Sequence, residues 1–201
     1  MYHKVDVVTP SIWWVSVDRF EQQLRALLEK FQFVFLDDYV IGTTDQVVVT
    51  FDDGYENVFR HAYPILKKYG IPFELFINAG LLGQWNDFDP NEMKTRFCTH
   101  EHLLEMAASL GRIQWHTWEH TQLHQLEYQE VERALTISQG LRIQFPAPHF
   151  DWFAYPSDVH DALSVKMVRS RFRGALTVVS GSSHDQHLLN RVPVFETWWP
   201  T

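Results

Sequence analysis

The stretch Val47-Val48-Val49-Thr50-Phe51 runs straight into Asp52-Asp53-Gly54. A continuous apolar, β-branched run of this length is what a parallel strand covered on both faces requires. Two adjacent acids at its end make poor core residues, because a buried charge without a partner costs several kcal/mol. They belong at the C-terminal mouth of the strand, where α/β folds place ligands and chemistry. The acid pair therefore predicts a binding site at one end of a parallel sheet.

The rest of the chain supplies that sheet. Strands are expected at Met1 to Val8, Phe33 to Leu36, Val47 to Phe51, Phe73 to Ile77, Arg112 to Trp115, Trp152 to Tyr155, Ala175 to Val179 and Val192 to Phe195. Between them, apolar residues recur at helical spacing. Phe20, Leu24, Leu27, Leu28 and Phe31 follow a Ser16 cap, and Tyr55 to Tyr69 ends at Gly70 with Pro64 as a kink or fresh start. Further helices are expected from Thr99 to Gly111, from Glu127 to Phe145 and near Asp161 to Phe172, with Leu82 to Phe97 as a long loop beside the mouth. Alternating strand and helix predicts a parallel sheet, closed or nearly so, and about seven strands favour a small (β/α) barrel. With 201 residues and no repeat or linker, one domain over 1–201 is expected.

Charge and composition remove several function classes. A formal net charge of -8 argues against nucleic acid and anionic membrane surfaces. The single cysteine, Cys98, excludes an internal disulfide and a thiolate zinc cluster. No apolar leader and no window approaching a membrane span are visible, so a cytoplasmic protein is expected. The eight Trp suit either core or stacking on sugar rings. No glycine-rich phosphate loop is present.

Two further features end predicted strands: His116 with His120, and the turn Phe153-Ala154-Tyr155-Pro156. Two imidazoles and one carboxylate are a common set for a catalytic zinc with an open position. The second aspartate is then free to be the general base of a metal-assisted hydrolysis. Two other readings compete. Either aspartate could cap the helix that begins near Tyr55, and His116 to His120 also matches the peptidase pattern H-x-x-E-H, which needs both histidines on one helix face.

These motifs together resemble the polysaccharide deacetylase family, the NodB-homology domain of carbohydrate esterase family 4. The family's TFDDG stands as Thr50 to Gly54 and its H-[ST]-x-x-H-x-x-L as His116 to Leu123, with similarity extending through Tyr63 to Gly70 and Phe73 to Phe76. Met1-Tyr2-His3, the FAYP turn at Phe153 to Pro156 and the L-x-R-[IV]-x-V ending at Leu189 to Val194 resemble a circularly permuted branch that includes poly-β-1,6-N-acetylglucosamine de-N-acetylases.

The resemblance implies an irregular (β/α)7 barrel that removes N-acetyl groups from N-acetylhexosamine units of a glycan or glycan precursor. It implies Asp53, His116 and His120 as ligands of one divalent metal ion, Zn2+ first, with Co2+, Ni2+, Mn2+ or Fe2+ as alternatives. It further implies Asp52 as the catalytic base and His3 as the acid. Tyr155, Pro156, Trp118 and Arg191 are candidates for binding the substrate. The chain departs from the family where a third motif normally supplies an arginine that tethers the base: Ala154 stands there, and Arg191 is the candidate substitute. A catalytically idle glycan-binding domain and an amidase acting on a non-sugar amide are the alternative functions.

Overall fold

The computed structural model describes residues 1–178 and 184–199. Its centre is a parallel six-stranded sheet built from β5 (Val49–Phe51), β6 (Phe73–Ile77), β7 (Gly111–Trp115), β8 (Trp152–Ala154), β9 (Gly174–Thr177) and β10 (Leu189–Asn190), paired in that spatial order. The backbone of residues 1–2 lies between the two edges. Tyr2 N–H donates to Thr50 O at 2.9 Å and Asp52 N–H to Tyr2 O at 3.0 Å, while the Met1 amine donates to Val192 O and Val194 N–H to Met1 O. These bonds join the β5 edge to the segment after β10 and complete a ring. Two small parallel pairs flank it, β1 (Lys4–Asp6) with β2 (Trp14–Ser16), and β3 (Gln32–Phe33) with β4 (Gln46–Val47).

Strand alternation sorts the side chains into two layers. Val49, Phe51, Phe73, Leu75, Ile77, Ile113, Trp115 and Phe153 point outward into the main core, beneath α1 (Val17–Leu28), α2 (Tyr63–Tyr69), α3 (His100–Ala107), α4 (Tyr128–Leu135), α5 (Gln139–Gln144) and α6 (Ala162–Arg169). Phe76, Trp152, Ala154, Leu176 and Leu189 point inward with Leu36 and fill the ring. The ring interior also holds polar groups. Glu74, fully buried, accepts hydrogen bonds from Leu36 N–H and Gln114 Nε2, and Gln114 in turn accepts from Trp152 N–H. Asp37 takes Trp152 Nε1 and Arg112, so residues 36–38 plug the barrel floor.

Most expected elements are present: Ser16 caps α1, Thr99 caps α3, Gly70 closes α2 with a φ of 64°, and α2 starts afresh at Pro64 after a π-helical turn at Val58–Ala62. Four differ. The run from Val47 to Phe51 is shared between two sheets, with Val48 as the break. The helix expected over Glu127 to Phe145 is two, because Thr136 is extended and Ser138 caps a new one. The strand expected at Val192 to Phe195 is β10, three residues earlier; Pro193 has no N–H to give, and Val194 bonds Met1 instead. The strand expected from Met1 to Val8 shrinks to β1 and the paired Tyr2. Val179, the expected end of β9, lies outside the described residues. No described helix is long and apolar enough to cross a membrane.

Candidate active site

The residues just past the strand ends make the site. Asp52 and Asp53 follow β5, Asn78 follows β6, His116 follows β7, Arg191 follows β10, and His3 follows the paired Tyr2. The acid pair is split by the backbone. Asp52 stays in register with Tyr2, whereas Asp53 takes a φ of 70° and turns the next side chain in a new direction. Gly54 completes the turn at φ 79°; a Cβ there would meet Ile77 Cγ2 at 3.0 Å. Thr117 and His120 are also left-handed, at 70° and 58°. Such conformations cost on the order of 1–3 kcal/mol each and gather where geometry is imposed by function.

Asp53 Oδ1 lies 3.5 Å from Nε2 of His116 and 3.5 Å from Nε2 of His120. One ligand atom from each of the three residues lies within 4.8 Å of the other two. A tetrahedral ion with bonds of about 2.1 Å spaces its ligands about 3.4 Å apart; the two Asp53–imidazole distances match that spacing, and two imidazoles with a carboxylate are donors that suit a borderline divalent metal. His116 is held by its other nitrogen, with Nδ1 2.8 Å from Ala154 O, which leaves Nε2 for the centre. Burial pushes His116 down to about 4, against the pull of Asp52, so the imidazole is neutral and able to ligate. Asn78 Nδ2 donates at 3.1 Å to Asp53 Oδ1, the same oxygen that faces the two imidazoles.

Asp52 is turned to a different partner. Both its oxygens are gripped by Arg191, Nη1 to Oδ1 at 2.6 Å and Nη2 to Oδ2 at 2.7 Å. Burial alone would raise its pKa, but the Arg191 guanidinium, with His116 and His3, holds the carboxyl well below the usual range. A buried carboxylate kept ionised beside the three-donor centre has the form of a base. Asp53 is likewise held below its ordinary value: burial would raise it, but His120, His3 and His116 outweigh that. His3 is half-buried, its ring 4.8 Å from that of Trp13; burial lowers its pKa while Asp53 and Asp52 oppose the shift.

The structure thus brings together Asp52, Asp53, His116, His120, Arg191 and His3. The aspartates do not act as helix caps, and residues 116–120 form a loop, so the peptidase arrangement on one helix face is absent. Arg191, the candidate substitute for the arginine missing at Ala154, is found on Asp52. Tyr155 is 2% exposed and packs between Phe153 and His160. Trp118 lies edge-on to Trp115 and donates Nε1 to Thr136 O at 2.8 Å, and Pro156 is buried. Sequence reasoning missed Asn78, whose only signal was a polar residue directly after a fully apolar strand end. It also missed Phe88, whose ring stacks on His120 at 4.9 Å and 17°, and which carries no motif.

The family model for polysaccharide deacetylase matches residues 41–171. The poly-β-1,6-N-acetyl-D-glucosamine N-deacetylase of Staphylococcus aureus (strain MSSA476) is 30% identical over 138 residues, 65% of this chain and 45% of that protein. YxkH of Bacillus subtilis (strain 168) is 28% identical over 152 residues, 74% of this chain and 51% of YxkH. The chain thus spans about half the length of the curated relatives it matches. Among solved structures, IcaB from Ammonifex degensii superposes with a TM-score of 0.80 at 27% identity, covering 96% of this chain and 89% of that one. The Streptococcus pyogenes deacetylase PplD in complex with acetate shares the fold, with a TM-score of 0.82 at 24% identity over 99% of this chain and 92% of that one. With well over half of its residues inside the family match, and with the barrel that goes with them, the chain belongs to the polysaccharide deacetylase family.

Proposed function

We propose that this chain is a metal-dependent de-N-acetylase acting on N-acetylhexosamine units of a glycan, with Asp53, His116 and His120 as the metal ligands. The observation that carries the reading is the division of labour at the acid pair: Asp53 faces two imidazole nitrogens, and Asp52 is clamped and ionised by Arg191. A divalent cation held there would supply Lewis acidity toward the acetamide carbonyl and toward water. Asp52 takes a proton from the water that attacks the acetamide carbon. Arg191 keeps the base charged and aimed, and its two parallel bonds fix both carboxylate oxygens. His3, in its protonated form, gives a proton to the departing nitrogen as the C–N bond breaks, leaving acetate and a free amine.

A pure glycan binder has no use for a buried, ionised carboxylate held beside the donor set, which favours the enzyme over the idle domain. The name of the Staphylococcus aureus relative supports a poly-β-1,6-N-acetylglucosamine type of substrate. The test is acetate release from N-acetylglucosamine oligomers together with metal analysis. Asp52→Asn should lose at least about 100-fold in turnover, the scale of general-base catalysis, while still binding metal. Retained turnover in that variant would remove Asp52 as the base.

A further inference from the structure

His116 and His120 are held in different ways. A hydrogen bond from Nδ1 to Ala154 O sets the plane of His116. Among the described residues, no hydrogen bond holds the second ring nitrogen of His120, and its backbone is left-handed at φ 58°. Metal-ligating histidines are ordinarily oriented by a partner on the other nitrogen. The His120 ring lies instead against other rings.

That partner is an aromatic column. Phe88 lies parallel to His120, centroids 4.9 Å apart and planes 17° apart. Phe88 stacks in turn on Phe97 at 6.0 Å and 20°, and Phe97 on Tyr55 at 4.8 Å and 17°. All three contacts fall within the roughly 4.5–7 Å range of favourable ring pairs. Tyr55 follows Gly54 directly and is 1% exposed, so the column is rooted two residues from Asp53. Its far end is sealed by charge: Lys4 Nζ sits 4.3 Å from the Tyr55 ring and 3.4 Å from Glu92 Oε2, with both side chains buried. Glu92 also accepts from Trp14 Nε1 at 2.7 Å.

Phe88 and Glu92 ride on the same loop. Buried Asn86 braces it, accepting from Thr95 N–H and donating to Met93 O. The loop is thus pinned at Glu92 and presents Phe88, 40% exposed, over the ligand imidazole.

We propose that Phe88 is a positioning residue for His120, taking by ring stacking the part that the Ala154 carbonyl takes for His116, with the Lys4–Glu92 pair holding its loop. The inference rests on the metal reading given above, and its test separates the two. Full-length wild type, Phe88→Ala and Phe88→Tyr are titrated with Co2+, following the visible absorption of the bound ion, with far-UV circular dichroism as the check on folding. Phe88→Ala should bind Co2+ roughly 10- to 100-fold more weakly, the loss typical of removing a ligand's orienting partner, and with an altered visible spectrum at saturation. Phe88→Tyr, which keeps the ring, should restore both. Equal affinity and spectrum for wild type and Phe88→Ala overturns the role of Phe88 and leaves the metal site standing; an equal loss in Phe88→Tyr overturns ring stacking as its basis. Wild type that binds no Co2+ overturns the metal site and this role together.

Discussion

Asp52 and Asp53 are chain neighbours with opposite surroundings, and the difference arises from one backbone angle. The left-handed turn at Asp53 sends one carboxylate to the imidazoles and leaves the other to Arg191. The pair with Arg191 is 5–6% exposed on both side chains, so removing one member strands a buried charge. Arg191→Met should therefore cost about 3–5 kcal/mol of stability in urea unfolding. Adding Asp52→Asn removes the stranded charge, so the double variant should be more stable than Arg191→Met alone. A further, additive loss would show that the two side chains do not act as a pair. The four residues that carry motifs, Asp52, Asp53, His116 and His120, were legible because their types and spacing are set by chemistry. Arg191 was legible only as a guess, since it reaches Asp52 across 139 positions of sequence. Phe88 was not legible at all, because a ring at a loop tip looks the same in sequence whether or not it stacks on a histidine of the site.

At the scale of elements, the strands and caps were readable from local patterns, and the errors fall where tertiary partners decide. Val47 to Phe51 is β-branched and aromatic throughout and gives no sign that one half pairs with β3 and the other with β6. The break between α4 and α5 had a weak signal in Thr136-Ile137-Ser138, two β-branched residues before a good cap.

Glu74 on β6 is a clearer case of tertiary override: a carboxyl inside the barrel, tied to β7 and the floor turn, and pushed up to about 7 by burial against the pull of its hydrogen bonds. Its folded pKa exceeds the unfolded 4.5. The stability it contributes is fully present below about 4.5 and is lost as pH rises through about 7, on the order of 3 kcal/mol in all. His116, pushed down to about 4, works in the opposite sense over an overlapping window. The informative quantity is therefore the difference between wild type and Glu74→Gln in metal-free protein. That difference should move by about 3 kcal/mol in favour of Glu74→Gln between pH 4 and pH 8. A constant difference across this range would mean that Glu74 titrates alike in the folded and the unfolded chain.

For the whole molecule, a metal that binds only the folded chain stabilises by mass action. At 100 times its dissociation constant the gain is about 2.7 kcal/mol. For a domain of this size that is a rise of roughly 5–10 °C in Tm. Calorimetry before and after chelation should show that difference in wild type and little of it in His116→Ala. No rise in wild type would argue against a folded-state metal site.

The ring seam has a further consequence, in time rather than in space. Residues 1–2 pair at once with 50–52 and with 192–194, so the barrel shuts only when segments 191 positions apart meet. Closing so long a loop adds little to the equilibrium cost, which grows only logarithmically, but contacts this distant in sequence form slowly. Arg191 and His3 both stand at that seam. On dilution from urea, helix content and tryptophan fluorescence should recover first and acetate release last. Until the seam shuts, the acid pair stands without Arg191 and His3, and under the proposed mechanism a half-folded molecule has no chemistry to perform.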